Sequence, residues 1–135
     1  DHDYARDDGA FLKQALTVVD GAGDNVIQLT DQIPGRNGPP AWSADGQSLY
    51  IATSEQFDVL DPRPWQIRRI GLDGTDEVVA EFDSRFALLA GPERDGKLLL
   101  LLLNDQLTYG LHVLDLASGE LLNGPSNAAV VGWLP

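Results

Sequence analysis

The stretch Pro39 to Tyr50, reading PPAWSADGQSLY, constrains the fold more than any other part of the chain. An approach ending in Trp42 meets a polar turn, Ser43-Ala44-Asp45-Gly46, and a departing run begins at Gln47. Asp tolerates and Gly favours the positive φ that reverses a chain tightly between strands. Beyond the turn, Leu49, Ile51 and Thr53 alternate with Ser48, Tyr50 and Ala52, the two-residue period of a strand with unlike faces. Weaker copies of the unit recur. That recurrence predicts an all-β chain of antiparallel strands joined by short turns.

In chain order, residues 1–14 are acidic and polar and are expected to be loosely ordered. Ala15 to Asp20 is rich in β-branched residues and is predicted to pair with Asn25 to Thr30 across Gly21-Ala22-Gly23-Asp24. Asp31 to Pro40, dense in Pro and Gly, is predicted as a loop. Ser54 to Pro64 is predicted as a longer one, because proline cannot donate to a ladder. Trp65 to Leu72 and Asp76 to Phe82 form the next hairpin around Asp73-Gly74. Phe86 to Gly91, Lys97 to Leu103, Tyr109 to Leu116 and Glu120 to Asn123 supply four more strands, and Ala128 to Pro135 another. The leucines of Leu98 to Leu103 show no period. Their short run between Asp-Gly and Asn-Asp favours a strand buried on both faces over a helix.

The turns repeat. Gly23, Gly74 and Gly119, each ending a hairpin turn, stand 51 and 45 residues apart, and Asp45-Gly46 and Asp95-Gly96 stand 50 apart. About four short strands per unit at this spacing is the signature of propeller blades. WSADGQSLY followed by QIRRIGLDGTDEVV resembles the TolB-type propeller repeat, with Ala44 where that repeat usually has proline. The Gly-His…Trp-Asp signature of ordinary WD repeats is missing, so the TolB-like class is favoured among WD-like repeats. Laid on this template, 15–30 is a half blade, 39–82 and 86–123 are blades, and 128–135 begins a further one. About three blades do not close a ring. The expectation is a segment of a longer propeller, or a piece that another subunit completes. On the same resemblance the protein is expected to be periplasmic or extracellular.

At 135 residues with a 43% hydrophobic fraction, the chain can form a real core. Its formal charge of −12 argues against nucleic acid and anionic membrane surfaces, which need a basic footprint. With no cysteine, disulfides and thiolate sites are excluded. No Gly-x-Ser-x-Gly elbow, twelve-residue calcium loop or glycine-rich phosphate cradle occurs, and no carboxylate pair is singled out, so no catalytic residue, cofactor or metal is assigned. Asp1-His2-Asp3 lacks the several fixed ligands of a closed metal site, and His112, within a strand, is read as structural. Trp42 and Trp133, at matching repeat positions, are read as core anchors between blades.

Function is therefore sought in the connections. In four-stranded up-and-down blades the short turns at 43–46, 72–75, 93–96 and 117–119 share one face. The connections at 31–39, 54–64, 83–85, 104–108 and 123–127 share the other, and long loops on a rigid scaffold concentrate binding residues. The candidate contacts are Arg36, Phe57, Asp58, Arg63 and Trp65, the last following the prolines outside the repeat match. The leading reading is a non-catalytic scaffold for protein interaction. The resemblance also implies two alternatives, a propeller gating a prolyl-oligopeptidase-like hydrolase or a propeller binding a glycan or small molecule. The isolated 135-residue chain is expected to self-associate, as read by light scattering and thermal circular dichroism; a monodisperse monomer that unfolds cooperatively overturns this.

Overall fold

The computed structural model describes residues 13–34, 36–55 and 62–124. They are all-β, in three antiparallel sheets that do not close into a ring, with no helix among the described residues. The first sheet pairs β1 (Lys13–Val19) with β2 (Val26–Pro34). In the second, β3 (Arg36–Asn37) and β4 (Ala41–Trp42) lie along one side of β5 (Ser48–Ser54), followed by β6 (Arg63–Gly71) and β7 (Asp76–Ser84). The third holds β8 (Ala87–Leu89), β9 (Lys97–Leu103), β10 (Tyr109–Asp115) and β11 (Glu120–Asn123), each paired with its chain neighbour.

Strand alternation assigns the faces of the second sheet. Leu49, Ile51 and Ile70 pack with Leu16 and Ile33 of the first sheet. Tyr50, Ala52, Trp65 and Ile67 pack with Ala87, Leu89, Leu98, Leu100 and Leu114 of the third. One strand, β5, is consequently buried along its whole length. A bulge in β7 leaves Val79 without a partner opposite β6, so that Val79 and Ala80 both pack on the third-sheet side. At Gly38 the second and third sheets approach closely. A Cβ there would stand 3.0 Å from the carbonyl oxygen of Ala87, tighter than side-chain contacts normally allow.

Most turn expectations hold. Gly46, Gly74 and Gly119 all take positive φ, and Asp95 and Gly96 both do, at 53° and 76°, as a type I′ hairpin requires. Leu98 to Leu101 are buried, on both faces of β9. Three expectations are corrected. Asp31 to Pro40 is not a loop: β2 runs to Pro34, and Arg36–Asn37 and Ala41–Trp42 both pair with β5, interrupted where Pro39 and Pro40 offer no N–H. The long 54–64 connection is shorter, because Arg63 and Pro64 already pair with Ser84 and Asp83.

The tryptophans are the third correction. Trp42 is 43% exposed, because Ala41 takes the inward position on β4 and the two strands of the first sheet do not cover its neighbour. Trp65, favoured for core packing though also offered as a loop-face contact, is 0% exposed, so the core reading holds and the contact does not. Its Nε1 donates to the Ser84 carbonyl at 3.0 Å, and its ring meets Phe86 edge-on at 5.2 Å. The expected strand at 128–135, Trp133 and residues 1–12 lie outside the described residues. Trp65→Ala should cost about 3–5 kcal/mol in denaturant unfolding, whereas Trp42→Ala should cost less than about 1 kcal/mol.

Candidate functional site

The two ends of the stacked sheets differ in chemistry. At the short-turn end, side chains are consumed in holding turns and joining sheets. Ser43 Oγ and Gln47 N–H donate to Asp45 Oδ1 at 2.7 and 3.0 Å, and Thr75 donates twice to Asp73 Oδ1. The Ser43 hydroxyl holds the Asp45 carboxyl below the usual range, and the Thr75 backbone N–H does the same for Asp73. Glu93, on the β8–β9 connection, accepts from Ala44 N–H at 3.1 Å and from the Tyr50 hydroxyl at 3.2 Å. Its own N–H donates to the Trp42 carbonyl, so a turn of the second sheet is joined to the third.

Burial pushes the Tyr50 hydroxyl up to about 12, with the charge of Glu93 adding to the effect. At the remaining hairpin, Asp20 takes the Asn25 amide at 2.6 Å, which lowers its carboxyl. Asp115 takes the Ala117 N–H at 3.1 Å. Both strand-ending carboxylates thus serve their own turns. Among the described residues no cluster of three His, Cys, Asp or Glu side chains could hold a metal ion. Asp1, His2, Asp3, Asp7 and Asp8 lie outside them.

The opposite end is open. A cleft of about 490 Å³ lies over the row Thr53, Gln66 and Glu81, which stand opposite one another on β5, β6 and β7. Glu55, Pro64, Phe82 and Asp83 also line it. Three carboxylates therefore face this space, while Glu55 meets Lys13 Nζ at 3.2 Å and Glu81 accepts from Gln66 Nε2 at 3.0 Å. A second cleft, about 520 Å³, lies between the second and third sheets at the same end, with Asp83, Ser84, Arg85, His112 and Asn123 in its wall. Pro62, Asn104 and Gly124 in the same wall show that the connections after β5, β9 and β11 converge there.

Of the five expected contact residues, Arg36 lies in β3 opposite Ser54, at this end but in a strand. Phe57 and Asp58 lie outside the described residues. Arg63 is half-buried at the start of β6, opposite Ser84. Trp65 lines the first cleft from beneath as a fully buried core side chain and is not a surface contact. The residues that sequence reasoning passed over are Glu55, Glu81 and Asp83, while His112 is read there as structural. Alternation places Glu81 and Asp83 on one face of β7, yet only the stacking of sheets turns that face into a cleft wall. Compared with protein families, curated proteins and solved structures, the chain matches none.

The short-turn end yields an alkaline signature. Because the folded-state pKa of Tyr50 lies above the ordinary value of 10.0, its contribution to stability is complete below pH 10 and lost as pH rises through about 12. Tyr50→Phe should remove that part of the alkaline unfolding profile, read from tyrosinate absorbance alongside circular dichroism; unchanged profiles would contradict the burial of the hydroxyl.

Proposed function

We propose that the chain is a non-catalytic β-propeller scaffold of the TolB-like type that docks a protein on its long-connection end. One observation carries the reading: the open, carboxylate-lined cleft over Thr53, Gln66 and Glu81 lies at the end away from the short turns, while the short-turn end engages its polar side chains in its own turns and in joining sheets. Rigid strands hold Glu81 and Asp83 in place, which gives a docking partner a fixed surface. In this reading the remaining surfaces of the stack meet further blades, supplied by the same polypeptide or by another subunit. On the resemblance, this reading takes the protein to work in the periplasm or outside the cell.

Photo-crosslinking residues introduced at positions 55 and 81 should each give discrete protein adducts in cells that make the protein. The same residue at position 120, beside the short turn after β10, should give none, and Glu81→Lys should abolish the adduct formed through position 55. Equal crosslinking from both ends, or none from either, would sink the proposal.

A further inference from the structure

The last layer of the stack carries an apolar face that no described sheet covers. In β9, Leu98 and Leu100 turn toward the second sheet, so Leu99 and Leu101 point the other way. Register extends this outer face across the sheet. Leu101 stands opposite Leu88 of β8 and Leu111 of β10, Leu99 opposite Val113, and Val113 opposite Leu122 of β11. These six side chains belong to neither described interior. Their exposure is nonetheless uneven: Leu99 and Leu101 are 4% and 6% exposed, Leu111 and Val113 are half-buried, and Leu122 is 50% exposed. Side chains stand roughly perpendicular to a sheet, so in-plane neighbours screen a leucine from the sides and leave its tip open. Near-complete burial of Leu99 and Leu101 therefore marks a cover lying over β9.

The chain itself leads to this face. Gly124, just past β11, donates its N–H to the Leu111 carbonyl at 2.7 Å, and a Cβ on it would stand 3.3 Å from Leu111 Cγ. Four Cα steps onward reach Ala128 and span up to ~14 Å. That is about the diagonal of two strand spacings (~4.8 Å each) and one sheet separation (~10 Å), the path from β11 to a position over β9. Ala128 to Leu134 number seven, as β9 does, and carry no charge, with Val130, Val131 and Trp133 among them. Residues 1–12 and 56–61 hold four and two aspartates and suit an apolar face poorly. The same step occurs once within the described residues. Past β7, Phe86 leads into β8, whose Ala87 and Leu89 join Tyr50 and Ala52 of β5 in one interior. Leu99 and Leu101 face away from the second sheet as Tyr50 and Ala52 face away from the first.

We propose that residues 128–134 act as a strap in cis, lying along β9 over Leu99 and Leu101 and leaving the β11 margin at Leu122 open. The competing occupant is a second copy of the chain. A segment tethered through Pro125, Ser126 and Asn127 alone meets the face at an effective concentration of about millimolar, which favours the strap. The third-sheet side of the stack is then a guarded surface, which another subunit reaches only by displacing the strap. This inference depends neither on the docking cleft over Glu81 nor on the propeller resemblance.

The test is paramagnetic broadening in the full chain. The sequence has no cysteine, so Asn127→Cys and Pro135→Cys each put a single nitroxide at one end of the strap. With leucine methyls isotope-labelled, Leu99 and Leu101 should lose intensity with either label and recover it when the nitroxide is reduced. Leu16 and Leu29, in the first sheet, should keep theirs. Mixing nitroxide-bearing chains with isotope-labelled chains that lack the nitroxide should leave Leu99 and Leu101 unchanged. Loss in that mixture would seat a second copy on the face and overturn the proposal. Absence of loss within the doubly labelled chain, or equal loss at Leu16, overturns it as well. Val130→Asp combined with Val131→Asp sets a carboxylate against the leucines whichever residue turns inward. This variant should abolish the broadening and raise binding of an apolar dye, and broadening that survives it counts against the strap.

Discussion

The fold depends on a single strand that has no solvent face. All seven residues of β5 are buried, so both of its alternating sets must find an apolar partner. Leu49 and Ile51 do so against the first sheet, Tyr50 and Ala52 against the third. Neither interior is complete without the second sheet, which makes the three-layer stack one interdependent arrangement rather than three hairpins in a row. Arg68 is the buried charged side chain in this packing among the described residues. At 8% exposure it forms a forked ion pair with Asp76 and donates to the Gln32 carbonyl of β2 at 3.3 Å. Removing one member of such a pair leaves the other charge poorly solvated, at a cost of several kcal/mol (~3–5 where burial is complete). The interaction thus fixes how the first sheet is set on the second.

What was legible in the sequence was mostly local. The hairpin turns are visible because positive φ demands glycine, or an Asp-Gly pair at 95–96, whatever the rest of the chain does. Leu98 to Leu103 is readable as a strand from its length and its flanking turns. The prolines misled. Pro39 and Pro40 do interrupt a strand, but Arg36 and Ala41 on either side of them still pair with β5, and Pro64 sits inside β6 where Ser54 Oγ donates to its carbonyl.

Placement in three dimensions was harder to read. Trp42 is exposed where a core anchor is expected, because burial depends on what lies across the sheet, and a single strand's pattern carries no record of that. The same reason hid the clefts. Glu81 and Asp83 look like an ordinary solvated strand face until Thr53 and Gln66 are set beside them. His112 looks like an ordinary strand histidine, and nothing in its strand's pattern marks its Nδ1 as buried. Two ends built from similar residues thus come to differ: at one, hydroxyls and carboxylates close on each other, and at the other they line open clefts.

The edges of the second sheet carry a consequence for growth. On one side, Pro39 and Pro40 interrupt the row of donors between β3 and β4. On the other, β7 presents Asp76, Glu77, Glu81 and Asp83 along a strand bent by its bulge. A lone strand arriving at either margin would meet missing donors or crowded negative charge, so zipper-like extension in the sheet plane is blocked. Enlargement of this architecture is left to the direction perpendicular to the sheets, where an incoming neighbour must bring a whole apolar surface. The second sheet is thereby kept from in-plane polymerisation by its own margins, and growth there is left to stacking.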